Sequence, residues 1–105
     1  MTTVAGWVWP SNVEPLLRSV SHYVGYSFDD TDWQAIAAAL PETDDERPDG
    51  WYDYPLAGEP PLRVHLACCV GAAPVMVRVV GPMDAVLEAR VDTLVSVLAE
   101  VRAGE

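Results

Sequence analysis

The 105-residue chain contains no lysine, and isoleucine, asparagine and phenylalanine occur once each, as Ile36, Asn12 and Phe28. All six basic residues are arginines, against 16 aspartates and glutamates, for a net charge of −10. An excess this acidic, with a pI near 4.3, excludes nucleic acid or an anionic membrane as a partner of the general surface, because like charge repels at long range. It favours rapid encounter with cationic partners. Alanine and valine are abundant while lysine and isoleucine are scarce, which reads as the codon bias of a GC-rich, bacterial genome. No run of about 18 apolar residues exists, so no membrane-spanning helix is expected. The N-terminus has neither a basic segment nor an apolar stretch of signal-peptide length, and a cytoplasmic protein is expected.

Only two cysteines occur, Cys68 and Cys69. Adjacent strand residues point to opposite faces, so a disulfide between them is disfavoured, and two free thiols in a reducing compartment are expected. The sequence also lacks a phosphate loop, a G-x-G-x-x-G and a G-x-S-x-G motif. Its two histidines have no metal-binding spacing. His65 and Cys68 fall on opposite strand faces, and His65 and Cys69 stand roughly 13 Å apart at about 3.3 Å per residue. The acidic run 44–50 has the wrong spacing for a calcium loop and a proline inside it. Neither a metal nor a cofactor is expected.

Half of the residues are hydrophobic, enough for a core without staples, and the length suits a single α+β domain over residues 1–105. Val13, Leu16, Leu17, Val20 and Val24 share one helical face, ended by Gly25, which predicts a helix over 12–24. Ser11 and Glu14 fit a capping box at its start. Thr31 and Gln34 fit another, opening a second helix that buries Trp33, Ile36, Ala37 and Leu40 and stops at Pro41.

Three strands follow, at 51–56, 62–70 and 75–80. A four-residue loop, 71–74, joins the last two and pairs Val70 with Val75, Cys68 with Val77 and Leu66 with Val79. Val64, Leu66, Val77 and Val79 then share an apolar face with period two, which Tyr52, Tyr54 and Leu56 extend. Pro82 opens a long C-terminal helix with Leu87, Val91, Leu94, Leu98 and Val101 at four-three spacing. The architecture expected is two N-terminal helices, a three-stranded antiparallel meander and a long helix packed on the sheet. Val4–Trp9 alternates weakly and adds at most one N-terminal strand, weakened by Gly6 and ended by Pro10. The last helix serves as core or, alternatively, as the seam of a homodimer.

Two regions attract a functional reading. The first is 41–61, which holds seven acids opposed only by Arg47. Asp44, Asp45, Glu46 and Asp49 there suit steering of a basic protein partner, with Trp51 and Tyr54 as anchors and Asp53 beside them. An immunity or antitoxin-type inhibitor of a basic toxin is the concrete form. The plain alternative is a solvated loop, with Trp51 packed beneath it.

The second region is the polar face of the sheet. If Leu56 pairs with Leu62, Asp53 lies opposite His65, with Arg63 and Arg78 on the same face. Asp53, His65 and Arg78 are the residues a small enzyme or ligand-binding protein would use. An ordinary cross-strand ion pair, contributing about 0.2–1 kcal/mol, accounts for the same residues. With no catalytic motif in the chain, the binding module is the leading expectation.

Overall fold

The structure, a computed structural model, describes residues 1–44, 50–68 and 74–100. It is α+β. Strand β1 (Thr2–Val8) is followed by helices α1 (Pro10–Tyr23) and α2 (Asp30–Ala39) and a 3-10 turn, Leu40–Glu42. Then come β2 (Tyr52–Leu56), β3 (Leu62–Cys68), β4 (Val75–Gly81) and helix α3 (Ala85–Glu100). The sheet has four antiparallel strands in the order β1-β4-β3-β2, one more than the expected meander.

The added strand is β1, and Gly6 explains it. Val4 and Val8 point inward and are buried. A Cβ on Gly6, between them, would stand 2.7 Å from Cγ1 of Val95 on α3. The glycine that weakens the strand in isolation is where the helix presses onto it.

The β2–β3 register is as expected, with Leu56 opposite Leu62 and Asp53 opposite His65. The β3–β4 register differs. Cys68 pairs with Val75, Leu66 with Val77 and Val64 with Val79, so the connection runs over six residues rather than four. A slip of two residues keeps every side chain on its own face, so hydrophobic alternation cannot separate the two registers. Val70 lies outside the described residues.

The inner face of the sheet is closed by the helices. Leu62, Val64, Leu66, Val75, Val77 and Val79 pack with Val13, Leu16, Leu17 and Val20 of α1 and with Ile36 of α2. All but Leu62 and Val75 are fully buried, and those two are 1% exposed. Each such side chain contributes roughly 1.5–3 kcal/mol.

The caps differ from those expected. Helix α1 starts at Pro10, with Trp9 as N-cap and no side-chain cap bond, and Pro15 falls inside the helix. Glu14, free of capping, accepts from Arg18 at 2.9 Å instead. The helix does end at Gly25, whose φ of 72° suits the left-handed stop. Helix α2 is capped by Asp29 and Asp32 in a reciprocal box, two residues ahead of the Thr31–Gln34 pair. Of its expected inner residues only Ile36 is fully buried; Trp33 and Leu40 are half-buried and Ala37 is exposed.

On α3 the buried line is Leu87, Val91 and Val95, at four-four spacing, because that row faces β1. Leu94 and Leu98 are half-buried, and Val101 lies outside the described residues. The side chain of Asn12, itself buried, donates to the carbonyl of Leu98 at 3.0 Å, tying α1 to the last turn of α3. No helix among the described residues is long and apolar enough to cross a membrane.

Candidate functional site

Among the described residues, no helix covers the outer face of the sheet. Its odd-numbered positions on β3 and β2 place Arg63 and His65 beside Pro55 and Asp53, with Ala67 and Trp51 the next odd-numbered residues past the Tyr52–Leu66 pair. Val80, Arg78 and Met76 follow on β4, and Thr3, Ala5 and Trp7 on β1. Period-two alternation puts polar residues here for the same reason that it puts valines inside.

Asp53 is held by two donors of Arg63, with His65 alongside. Arg63 Nε reaches both of its oxygens at 3.0 Å and Arg63 Nη2 reaches Oδ2 at 2.8 Å. His65 Nε2 stands 3.4 Å from the other oxygen, Oδ1. The hydrogen bonds from Arg63 hold the Asp53 carboxyl below its ordinary pKa, against a smaller opposing effect of burial. A carboxylate stabilised in this way is a poor proton acceptor, which weakens the case for Asp53 as a general base.

On β4, the Arg78 guanidinium carbon lies 3.9 Å above the centre of the Trp51 ring. Arg78 is the Cα partner of His65, so the contact from Trp51 spans the whole width of β3. One step along the register from Tyr52–Leu66, the residue in the path is Ala67. It is fully buried although the face around it is open. Sequence reasoning passed over Ala67. Its signal was a small residue among outward-facing large ones.

Of the proposed residues on β2 and just before it, Trp51, Asp53 and Tyr54 do not share one face. Trp51 and Asp53 share the outer face. Tyr54 lies on the inner face, packed against the core, with its ring 6.4 Å from Phe28 in an edge contact. Its hydroxyl donates to Asp32 Oδ1, which also accepts from Tyr26 at 2.9 Å. The other Asp32 oxygen accepts from the Asp29 backbone at 2.9 Å. Burial pushes the Asp32 pKa up, but these hydrogen bonds, Tyr54's foremost, outweigh it and hold the group at about 2. Burial, and then Asp32, push the Tyr54 hydroxyl well above its ordinary pKa. Tyr54 thus locks α2 to β2.

Asp44 is half-buried, and its backbone N–H donates to the Gly50 carbonyl at 3.0 Å. Asp45, Glu46 and Asp49 lie outside the described residues. Beside Asp44, the buried Thr43 hydroxyl accepts from the Cys68 N–H at 2.8 Å. It satisfies a β3 donor beyond the end of β2. Cys68 is half-exposed and free, and Cys69 lies outside the described residues.

An apolar groove of about 670 Å³ runs along α3, between Tyr23 and Val86, Arg90, Leu94 and Val97. It lies behind the sheet, and His65 does not line it. Among the described residues no three of His, Cys, Asp and Glu converge to hold a metal. No family model, no curated protein and no solved structure matches the chain.

Proposed function

We propose that the chain is a small acidic, non-catalytic protein-binding module that engages a basic partner, in the manner of an immunity or antitoxin-type inhibitor. The supporting observation is the bond between Asp44 and Gly50, which brings the root of the acidic segment next to Trp51 at one end of the open sheet face. Steering charge and an aromatic anchor then adjoin. Asp44, Asp45, Glu46 and Asp49 raise the encounter rate, and Trp51 supplies the contact that persists. The open face and the Arg63-bound state of Asp53 favour recognition over proton transfer at Asp53, His65 and Arg78.

The test is a binding titration with the basic protein that co-purifies from the native cell, at low and high salt. Exposed charges are screened beyond about 8 Å at physiological ionic strength, so association slows as salt rises. Replacing Asp44, Asp45 and Asp49 with asparagine lowers the on-rate, whereas Trp51→Ala raises the off-rate, costing about 2 kcal/mol. Unchanged kinetics in both variants would remove this surface from consideration.

A further inference from the structure

The described arginines differ in what they hold. Arg18 donates to Glu14, to Asp30 and to the Phe28 carbonyl. Arg63 is exposed and ion-paired with Asp53. Arg90 is exposed, in water beside the Tyr23 ring. Arg78 alone among them is both half-buried and, among the described residues, without a hydrogen bond or an ion pair. A guanidinium carries five N–H donors, and those of Arg78 meet no protein acceptor among the described residues. The contact with the Trp51 ring uses the face of the guanidinium and leaves its N–H edges free for an acceptor.

The surroundings of Arg78 are shaped for an incoming group. Its Cα partner on β1 is Ala5, an exposed small residue that leaves this flank uncovered. Its same-face neighbours along β4 are Met76 and Val80, both half-buried, and Trp7, opposite Met76, is 42% exposed. Among the described residues of β2, β3 and β4 on this face, two arginines, Arg63 and Arg78, stand with one carboxylate, Asp53. The rest of the chain is acidic.

We propose that Arg78, seated over the Trp51 ring, is the receptor for a carboxylate side chain carried on a protein partner's apolar segment, the carboxylate taking the guanidinium edge and its apolar neighbours resting on Met76, Val80 and Trp7. Planar two-point recognition of a carboxylate is what a pre-oriented arginine fork supplies and a mobile surface arginine does not. Net repulsion from the acidic chain disfavours a polyanion and selects a single carboxylate in an otherwise neutral or basic surface.

The inference is independent of acidic steering and has its own test. Two capped pentapeptides are used, Ala-Leu-Glu-Leu-Ala and its glutamine twin, together with inorganic phosphate. Each is titrated into the full chain while the Arg78 Nε–H and Trp51 indole N–H signals are followed by NMR. The glutamate peptide moves both signals and binds about tenfold tighter than its twin, the factor contributed by one hydrogen bond to a charged group. Arg78→Gln brings the two peptides to equal affinity, while Arg90→Gln, on α3 away from this face, keeps the difference; thermal unfolding checks that both variants fold.

Equal binding of the two peptides by the unaltered chain, binding of neither, or discrimination that survives Arg78→Gln would overturn the proposal. So would a larger response to phosphate than to the glutamate peptide. A basic partner whose binding ignores salt would sink the acid-steered reading and leave this one standing.

Discussion

On the inner face of β3, Leu62, Val64 and Leu66 are 1% exposed or less, while one residue away on the outer face Arg63 and His65 remain in contact with water. The same strand builds both surfaces, and they obey different rules. The inner positions are filled by helices from three parts of the chain, so their identity is set by volume. The outer positions are filled by pairwise contacts across neighbouring strands, so their identity is set by charge and shape. A change on one face is therefore a stability experiment, and a change on the other is a recognition experiment.

Leu66→Ala gives the largest effect, a loss of about 2–5 kcal/mol in denaturant unfolding, because the surrounding core cannot collapse into the space. A loss under 1 kcal/mol would mean that the inner face is not the close-packed core described above. Gly6→Val comes next. Its side chain collides with Val95, and about 1–3 kcal/mol is lost as α3 is pushed from β1.

Tyr54→Phe removes one charge-assisted hydrogen bond to Asp32 and costs about 1.5 kcal/mol. The same network gives stability a pH signature. The folded pKa of Asp32 lies below its ordinary 3.8, at about 2. Its contribution is therefore complete above pH 4 or so and fades as pH falls toward 2. The Tyr54 pKa is raised, so the contribution of the neutral hydroxyl is complete below its ordinary value of 10.0 and is lost as pH rises beyond it. Urea midpoints measured across pH 2–5 decline more steeply for the unaltered chain than for Asp32→Asn; parallel curves would remove Asp32 as the cause. His65→Ala marks the small end, with a change of about 0.5 kcal/mol, since Arg63 still holds Asp53. A loss comparable to that of Leu66→Ala would erase the distinction between the faces.

The helices, the strands and the face assignment of β2, β3 and β4 were legible because periodicity of 3.6 or 2 is a local property. The Leu56–Leu62 register was legible too, and with it the pairing of Asp53 with His65; Arg78 was placed on the right face but not opposite His65. The β3–β4 register was not, because a slip of two residues preserves the hydrophobic pattern. The caps misled at Ser11 and Thr31, where a motif was present, while Trp9 and Asp29 took the positions. Of the candidate site, Tyr54 read as an anchor because tyrosine beside acids suits a binding surface. Its true acceptor, Asp32, is 22 residues away in sequence.

By itself, then, the sequence determined the acidic surface, the element types, the inner and outer sets of strand side chains and the stop at Gly25. Each follows from residue chemistry or from a spacing of a few residues. Tertiary structure alone decided that Gly6 belongs to a fourth strand, that α3 buries Val95 in preference to Leu94, and that Trp51 reaches Arg78 across Ala67. Those outcomes depend on which element approaches which, at distances of a few ångströms between residues far apart in the chain, and no local pattern encodes that approach.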